Sequence, residues 1–559
     1  MTGELSGRGP GGGSFFYKGK TLLSRKDPIG QAERLAGLFP KSPRTLYFCP
    51  SPLYGYGLAV LLQSLDADSA VLCVEADGQL LDLSRAAMEG LLRENPGLRL
   101  VRAGDEAELC AYVRQTWGAR RFRRVETLRL TGGWQLFPEI YDSLTNSLRR
   151  TINTDWGNAM TLVKLGRCYT KNALRNLALI PKTQDLSDIS FGNSPVLVLG
   201  AGPSLDGLLE GLFRFFGKDF GDPQKRPFRI ICVDTCLPPL RTRNIKPDLA
   251  VVLESQHWNL RDFIGTGGWQ VPAAMDLSAL PATGKILGGP VFLFVTPWTE
   301  LSLFKRLCSA DLLPTTMAPL GSVGLTATAL ARQLSSGPII TGGLDFSFTL
   351  DAYHARGTPG HLDCLFRQNR LHGIINAGGA FRRGVFKRTA KSGVTVTSDP
   401  VLASYRDLFE QEFAGEERIH DLMGPGLSLG TVPLSPEKAR DILGAGPNPA
   451  CRLPAPPAAD TRKKALEAFI REEQDALFKL REILTGERTA PDDSLEELLD
   501  REDYLWAHFP DCAGTGGRRP SARDLSFLKR VRMEIDPFIR LLNRVLREEV
   551  RREKLGGRS

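Results

Sequence analysis

The sequence predicts an α/β protein with two Rossmann-like parallel-sheet domains, followed by a helical C-terminal region. Three observations support this prediction. Short runs of branched apolar residues alternate with helical or looped segments, which is typical of parallel strands joined by crossovers. The chain has 559 residues, which is too many for one hydrophobic core. The segment 461–559 has helical periodicity and charges of mixed sign in place of strand patterns.

The composition narrows the classes of partner and location. A formal net charge of +9 favours anionic ligands such as nucleotides or acidic sugars. No basic run is interleaved with aromatic residues, so we expect no nucleic-acid partner. We expect no membrane span and a cytoplasmic location, because no apolar run is long enough and the N-terminus lacks a signal core. The ten cysteines include no CxxC pair, so neither a disulfide framework nor a metal site is expected.

The first part of the chain divides into three predicted segments. Residues 1–40 are rich in glycine at their start and are predicted to be disordered. Residues 41–150 form the N-terminal Rossmann-like α/β domain, with strands at 46–49, 70–75 and 98–102 and another near "VETLRLTG". Residues 151–192 have helical periodicity and no strand pattern, which predicts a helical connector.

The second part begins with a central α/β domain over 193–400. Its predicted strands are Pro195–Leu199, Phe228–Val233, Leu249–Leu253, Val291–Val295 and Ile339–Thr341. The segments between them suit crossover connections, so a mostly parallel sheet is expected. Residues 401–460, which contain "GPNPACRLPAPPAAD", are predicted to be an irregular linker, and the helical region 461–559 follows.

The first strand of the central domain ends in the turn "VLVLGAGPSLDG". Glycines permit close backbone approach, and a serine can cap the next helix, whose N-terminus favours an anion. Leu205 excludes the fingerprint GxGxxG, and no GK[ST] follows as in a P-loop. From this motif alone, an anion site and a purely structural turn are equally supported. The candidate binding residues are Gly200, Gly202, Pro203 and Ser204.

Two acids follow the next strands. In open α/β sheets, ligands bind beyond the carboxyl ends of strands. Asp234 ends "RIICVD", where an acid commonly accepts hydrogen bonds from a ribose, although a helix cap is nearly as well supported. Glu254 follows the strand in "IKPDLAVVLESQ" and reaches the same edge.

Two later segments add candidates at this edge. The Gly321–Ser322 turn precedes an alanine-containing helix in "PLGSVGLTATALARQL" and is a second candidate anion site. The segment "IITGGLDFSFTLDAYHARG" then supplies Asp345 and His354. A lone histidine is usually a surface residue, but one in a loop at this edge with acids nearby suits a general base.

These motifs, in this order, carry a family resemblance. "VLVLGAGPSLDG", "NIKPDLAVVLES", "GSVGLTATALARQL", "GGLDFSF" and "YHARG" resemble the motility-associated factor (Maf) proteins. Members of that family are flagellin glycosyltransferases, thought to attach nonulosonic (sialic-acid-like) sugars to Ser or Thr. The resemblance covers roughly residues 40–400. The central part also resembles bacterial sialyltransferases that use CMP-activated sialic acid, through the GxGPSL turn, the Ser/Gly turn and the GxDF segment.

The resemblance implies roles for individual residues. Gly200, Gly202, Pro203 and Ser204 would approach the nucleotide phosphate. Asp234 would lie near the ribose, Ser322 near the donor's phosphate or carboxylate, Asp345 would shape the site, and His354 would be the base. This sequence departs from the sialyltransferases at Ala201, where they have Asn, and at Pro319 and Leu320, where they have an Arg.

The expected function is therefore transfer of a nonulosonic sugar from a CMP-activated donor to flagellin, without a metal or other cofactor. Two alternatives stay open. The turn and the "PD" strand also resemble 6-hydroxymethylpterin diphosphokinases, whose acid cluster is here reduced to Glu254 in "VVLESQHW". The other alternative is a non-catalytic flagellin-binding module. Oligomeric state is not predicted.

Overall fold

We analysed a computed structural model of the chain. The structure describes residues 15–118, 120–349, 352–371, 373, 383–445, 459–489, 492–513 and 519–556. The chain divides into two units. The smaller unit comprises Met1–Gly166 and Trp506–Asp524, and the larger unit comprises Arg167–Leu505 and Leu525–Ser559.

The start of the smaller unit differs from the predicted disorder of residues 1–40. Residues 1–14 lie outside the described part, but β1 (Phe16–Tyr17), β2 (Lys20–Thr21) and α1 (Pro28–Leu38) are regular elements. Apolar side chains of this segment are buried, and the Tyr17 hydroxyl donates to Asp77 at 3.1 Å. The prediction of disorder is therefore wrong for residues 15–40, which lack the glycine-rich composition of the first residues.

A four-stranded parallel sheet forms the core of the smaller unit, with strand order β5-β4-β3-β6. The strands are β3 (Thr45–Pro50), β4 (Ala70–Glu75), β5 (Leu98–Arg102) and β6 (Arg124–Thr127). The helices between them are α2 (Leu58–Leu62), α3 (Gly78–Ala87), α4 (Glu89–Glu94) and α5 (Glu106–Trp117). Both faces of β3 and β4 are buried, which explains their continuous apolar runs.

The predicted helical connector at 151–192 begins with part of a longer helix, α6 (Pro138–Asn176). The division between the two units falls within this helix. A 3₁₀ helix, Leu177–Lys182, and the short strand β7 (Gln184–Asp185) follow it. The connector is therefore helical, but the helix begins earlier than the apolar pattern indicated.

The larger unit contains a sheet of order β13-β12-β11-β10-β9-β8-β14-β17-β18, with β7 beside β12 and every pair parallel. Its strands are β8 (Val196–Leu199), β9 (Arg229–Val233), β10 (Leu249–Val252), β11 (Val271–Asp276), β12 (Gly288–Val295), β13 (Thr315–Thr316), β14 (Ile339–Gly342), β17 (Ile419–Leu422) and β18 (Val432–Leu434). The two parallel-sheet domains of the predicted fold class are confirmed.

The crossovers of this sheet are short helices and loops. They include α7 (Leu205–Phe216), α8 (Leu237–Thr242), α9 (Thr283–Ile286), α10 (Ser302–Ser309), α11 (Val323–Leu334) and α12 (Pro359–Arg367). A hairpin of β15 (Phe386–Thr389) and β16 (Thr395–Ser398) follows.

The strand order reverses at β8. The chain runs outward from β8 through β9 to β13, and α11 then returns it to place β14 on the other side of β8. Helix α11 packs against β8, β9, β10 and β14, and its buried face includes Gly324. A Cβ at Gly324 would lie 2.5 Å from Leu344 Cδ2, so the small residue permits this close crossing. The switch point of the sheet therefore lies between the loops that follow β8 and β14.

The prediction of an irregular linker over 401–460 is wrong for its first part. That part contains α13 (Pro400–Phe413), the sheet strands β17 and β18, and α14 (Pro436–Gly444). β17 (IHDL) is interrupted by two polar residues and β18 (VPL) has only three residues with a central proline, so neither gave a strand pattern. The proline-rich residues 446–458 lie outside the described part.

The C-terminal region is helical, as predicted. Its helices are α15 (Ala459–Thr485), α16 (Asp492–Arg501), α17 (Pro510–Ala513) and α18 (Leu525–Gly556). In the larger unit, α15 packs along α18, and Arg306 of α10 donates to Glu473 of α15 at 2.7 Å. Among the helices of the described residues, none has the length and apolar character needed to cross a membrane.

Candidate functional site

The turn after β8 is joined to the loop after β14 by backbone hydrogen bonds. The Gly200 amide donates to the Gly342 carbonyl at 2.8 Å, and the Gly202 amide donates to the Gly343 carbonyl at 2.8 Å. A Cβ at Gly202 would lie 2.7 Å from the Gly343 oxygen and 2.5 Å from Asp345 Oδ2. The glycines are therefore required by contact between the two loops.

Ser204 is held by Asp345 at the N-terminus of α7. Its amide donates to Asp345 Oδ2 at 2.7 Å, and its hydroxyl donates to Asp345 Oδ1 at 2.6 Å. Burial raises the pKa of Asp345, while these hydrogen bonds oppose the shift. The carboxyl group of Asp345 thus takes the place at this helix N-terminus where the sequence suggested a ligand anion.

These contacts reduce the number of backbone amides in the turn after β8 that could bind an anion. The amides of Gly200, Gly202 and Ser204 all donate to protein groups, so they are not free to bind a phosphate in this structure. Pro203 has no amide hydrogen to offer. The role of these residues in donor binding remains a prediction.

His354 lies beside the same turn. The next residue, Ala355, donates its amide to the Ala201 carbonyl at 3.0 Å, which fixes the histidine loop against the turn. Burial lowers the pKa of His354, and a hydrogen bond to the Ala201 backbone opposes this shift. The imidazole packs edge-on against Tyr353, and its buried Nδ1 has no hydrogen-bond partner among the described residues. A neutral imidazole with a free ring nitrogen can accept a proton.

Asp234 lies at the end of β9 and is only 3% exposed. Its carboxyl group accepts hydrogen bonds from the Thr235 amide and from Asn259 Nδ2, both at 2.9 Å. Burial and the nearby carboxyls of Asp262 and Glu254 raise the pKa of Asp234 to about 8. Asp234 is therefore largely protonated at neutral pH, and both of its oxygens already bind protein groups. Its contact with a ribose remains a prediction.

Glu254 and Asp262 lie close enough to Asp234 to affect its charge. Glu254 is half-buried, and its Oε1 accepts from the Gln256 amide at 2.9 Å. Burial raises the pKa of Asp262 to about 6. Among the residues that the structure describes, no group of three or more His, Cys, Asp or Glu side chains is arranged to hold a metal ion.

The Gly321–Ser322 turn precedes α11, as the sequence suggested. Gly321 has a φ of +69°, a left-handed conformation that favours glycine. Ser322 is half-buried and extended at the helix N-cap, and its side chain makes no capping hydrogen bond. A Cβ at Gly321 would lie 3.5 Å from the ring of Tyr405. This turn therefore leaves the N-terminus of α11 without a side-chain cap, and, unlike Ser204, Ser322 is not held by a buried carboxyl group in the hydrogen bonds of the described residues.

Comparisons with known proteins show what this chain is similar to. Residues 169–351 match the family model described as 6-hydroxymethylpterin diphosphokinase MptE-like. An uncharacterized protein of Treponema pallidum (strain Nichols) is 30% identical over 560 residues, which cover 96% of this chain and 94% of that protein. The solved structure of the MAf glycosyltransferase from Magnetospirillum magneticum AMB-1 superposes with a TM-score of 0.55 and 15% identity, covering 98% of this chain and 92% of that chain.

The chain belongs to the same family as the Treponema protein, and it contains an MptE-like domain. The likeness to the Magnetospirillum protein shows a shared fold, so the resemblance inferred from the motifs is confirmed for the fold and for the MptE-like domain. The MptE-like segment includes the turn after β8, Asp234, Glu254, Ser322 and Asp345, and it ends just before His354.

The "PD" motif of this chain is structural. Asp248 lies at the start of β10, at the sheet edge opposite to the candidate site. It forms an ion pair with Arg226 and accepts from Arg229 at 3.2 Å and from the Ile230 amide at 2.8 Å. All three charged side chains are at most 3% exposed. The motif therefore marks a buried ion cluster between β9 and β10.

Several residues around the site gave no recognisable sequence motif. Asn259 and Asp262 lie in a 3₁₀ helix, His257–Phe263, and contact the site at the end of β9. Tyr169 and Tyr405 come from α6 and α13, and burial together with the charge of nearby Glu254 raises the pKa of Tyr169 to about 12. No motif pairs these residues with the strand ends, because they are far apart along the chain.

Proposed function

We propose that this protein is a glycosyltransferase of the Maf type. It moves a nonulosonic sugar from a CMP-activated donor to Ser or Thr of flagellin, in the cytoplasm. The observation that carries the proposal is His354, a neutral base with an unpartnered ring nitrogen, fixed against the turn at the switch point of the sheet. The shared fold with a Maf glycosyltransferase supports the same reaction class.

The proposed step is a single displacement. The hydroxyl oxygen of the acceptor attacks the anomeric carbon of the donor and forms the new glycosidic bond. The bond between that carbon and the CMP phosphate oxygen breaks, and its electron pair leaves with CMP. His354 accepts the proton of the hydroxyl. Asp345 is a positioning residue, since it holds Ser204 and with it the turn against which His354 rests.

The donor's anionic group is assigned to the N-terminus of α11. In the turn after β8 the amides of Gly200, Gly202 and Ser204 already donate to protein groups. Ser322 leaves the N-terminus of α11 without a side-chain cap. A helix N-terminus favours a phosphate or carboxylate through its free amides and its dipole. Tyr405 lies beside this turn and closes its flank.

The test is a transfer assay with full-length protein, a CMP-activated nonulosonic acid and purified flagellin. His354→Gln keeps a polar side chain but cannot act as a base. We expect at least a 100-fold loss of rate, since general bases contribute about 10²- to 10⁴-fold. His420→Gln is the matched control, because burial also lowers the pKa of His420, and its Nδ1 also lacks a partner among the described residues. Equal rates for the two variants would overturn the assignment of the base.

A second candidate function is diphosphate transfer from ATP to a pterin. The MptE-like match and the neighbouring carboxyls of Asp234, Glu254 and Asp262 favour it. The same preparation, given ATP, Mg²⁺ and 6-hydroxymethylpterin, separates the two functions. Release of AMP with formation of the pterin diphosphate would support this candidate. Binding of flagellin with neither turnover would support a non-catalytic module.

A further inference from the structure

A cavity of about 350 Å³ lies in the larger unit and shares no residue with the candidate site. Five basic side chains line it. They are Lys171 and Arg175 of α6, Lys285 of α9, and Arg540 and Arg544 of α18. We call this cavity the basic pocket. Positively charged side chains from three helices therefore line the same cavity.

The basic pocket contains no acidic residue in its lining. Within the described residues, none of its five cations takes part in an ion pair. Two acids of α18 are already paired with other cations: Glu534 with Arg167 at 2.6 Å, and Asp536 with Arg481 at 3.5 Å. The positive charge of the pocket is therefore not balanced by the groups that form it.

The pocket has a fixed apolar part beside its charges. Leu179, Pro281 and Leu541 belong to its lining. Asn176, which is fully buried, donates to the carbonyls of Leu277 and Ala279 at 2.9 and 2.8 Å and so anchors the loop that leads to α9. The loop that carries Pro281 is therefore held in place by α6, which favours a preformed cavity.

We propose that the basic pocket binds a small organic polyanion, with two or more phosphate or carboxylate groups beside an apolar part, such as a nucleoside diphosphate. The cavity volume falls in the range of small-ligand sites, roughly 300–1,000 Å³. Like charges brought together repel one another, and a bound anion relieves that repulsion. Burial and the neighbouring cations Arg167 and Arg175 lower the pKa of Lys171, while the carboxyl group of Glu534 opposes the shift.

The test is calorimetric titration of the full-length protein with CDP and, separately, with inorganic pyrophosphate, at low and moderate salt. The variant is Arg540→Gln with Arg544→Gln, both at exposed positions. The matched control is Arg532→Gln, which is exposed on the same helix but does not line the pocket. We expect at least a tenfold loss of affinity for CDP in the double variant, no change in the control, and weaker binding at higher salt.

The two probes separate the sources of affinity. If CDP binds more tightly than pyrophosphate, the apolar part of the pocket contributes to affinity. If the two bind equally, only the diphosphate group contributes, and the proposed role of the apolar part is wrong. Equal CDP affinity in the wild type and the double variant places binding elsewhere and overturns the proposal. Absence of binding of both probes to the wild type, or binding of an acidic polymer such as poly-aspartate alone, also overturns it. Melting curves of each variant confirm that the fold is retained.

Discussion

Asp345 holds Ser204 through two hydrogen bonds, although the two residues are 141 positions apart. The amide and the hydroxyl of Ser204 each donate to one oxygen of the same carboxyl group. This contact joins the loops that follow β8 and β14, at the point where the strand order of the sheet reverses. The candidate site is therefore built on a direct bond between two motifs that look independent in the sequence.

A double-mutant cycle measures the strength of this contact. Ser204→Ala removes the hydroxyl donor, and Asp345→Ala removes both acceptor oxygens. We expect each single variant to lower stability by about 1–3 kcal/mol, because a buried group loses a partner. The double variant should cost less than the sum, with a coupling of about 0.5–3 kcal/mol. Additive effects in denaturant unfolding would show that the two residues do not act together.

The contact between the loops after β8 and β14 also predicts opposite changes in stability when Gly202 and Gly207 are replaced by alanine. A Cβ at Gly202 would overlap the Gly343 oxygen and the Asp345 carboxyl, so Gly202→Ala should lower stability by about 1–3 kcal/mol. Gly207, in α7, has no neighbouring atom within 4 Å of the place that a methyl group would occupy, so Gly207→Ala should raise stability by about 0.5–1 kcal/mol. Melting temperatures that move in the same direction would contradict the assigned packing.

Asp234 predicts a specific pH dependence of stability. Its pKa is raised to about 8, so the folded state binds a proton that the unfolded state, with a pKa near 3.8, has lost. Stability should therefore fall as the pH rises from about 4 to 8, with a slope of up to about 1.4 kcal/mol per pH unit from this group. Asp234→Asn should remove this slope and stabilise the protein at pH 8.

The stabilisation expected for Asp234→Asn at pH 8 depends on the hydrogen bond to Asn259. An asparagine at position 234 can still accept a hydrogen bond from the Thr235 amide. Asn259 Oδ1 has no partner among the described residues. If the Asn259 side-chain amide rotates by half a turn, this oxygen can accept a hydrogen bond from the NH₂ group of the new asparagine. Denaturant unfolding of both proteins between pH 5 and 8 checks this. Parallel pH profiles for the wild type and Asp234→Asn would mean that another group causes the slope.

The buried ion cluster predicts a large loss of stability at Asp248. Asp248→Asn leaves the guanidinium groups of Arg226 and Arg229 buried without a counter-charge, which should cost about 3–5 kcal/mol. The control is Asp142→Asn. Asp142 pairs with Arg129 at 3.0 Å, but both side chains are more than two-fifths exposed, so the loss should stay below about 1 kcal/mol. Similar melting temperatures for the two variants would contradict this distinction.

The strands at the centre of the sheets could be predicted because both of their faces are buried. β8 and β9 are short runs of branched apolar residues that end at glycine or aspartate, and the pattern located both to within about a residue or two. β11, with the sequence "VPAAMD", consists mainly of small residues and a proline, so it gave no such pattern. The strands β17 and β18 also gave no pattern, because β17 (IHDL) is interrupted by two polar residues and β18 (VPL) has only three residues with a central proline.

The sequence predicted which residues lie at the candidate site better than it predicted the contacts between them. The strand ends correctly located Asp234, Glu254 and Asp345 at one edge of the sheet, because the topology fixes where a strand ends. The engagement of the turn amides was not predictable, because it depends on the distance between two loops in space. Asn259 and Asp262 were missed, since nothing in their local sequence links them to Asp234.

The intact mass of flagellin from the organism that makes this protein tests the central claim most directly. The comparison is between wild-type cells, cells that lack the gene, and cells that carry His354→Gln or His420→Gln. We predict that flagellin loses the mass of one nonulosonic acid residue per modified site in the deletion and His354→Gln cells, and that it keeps this mass with His420→Gln. Flagellin of unchanged mass in the deletion cells would contradict the proposed transferase.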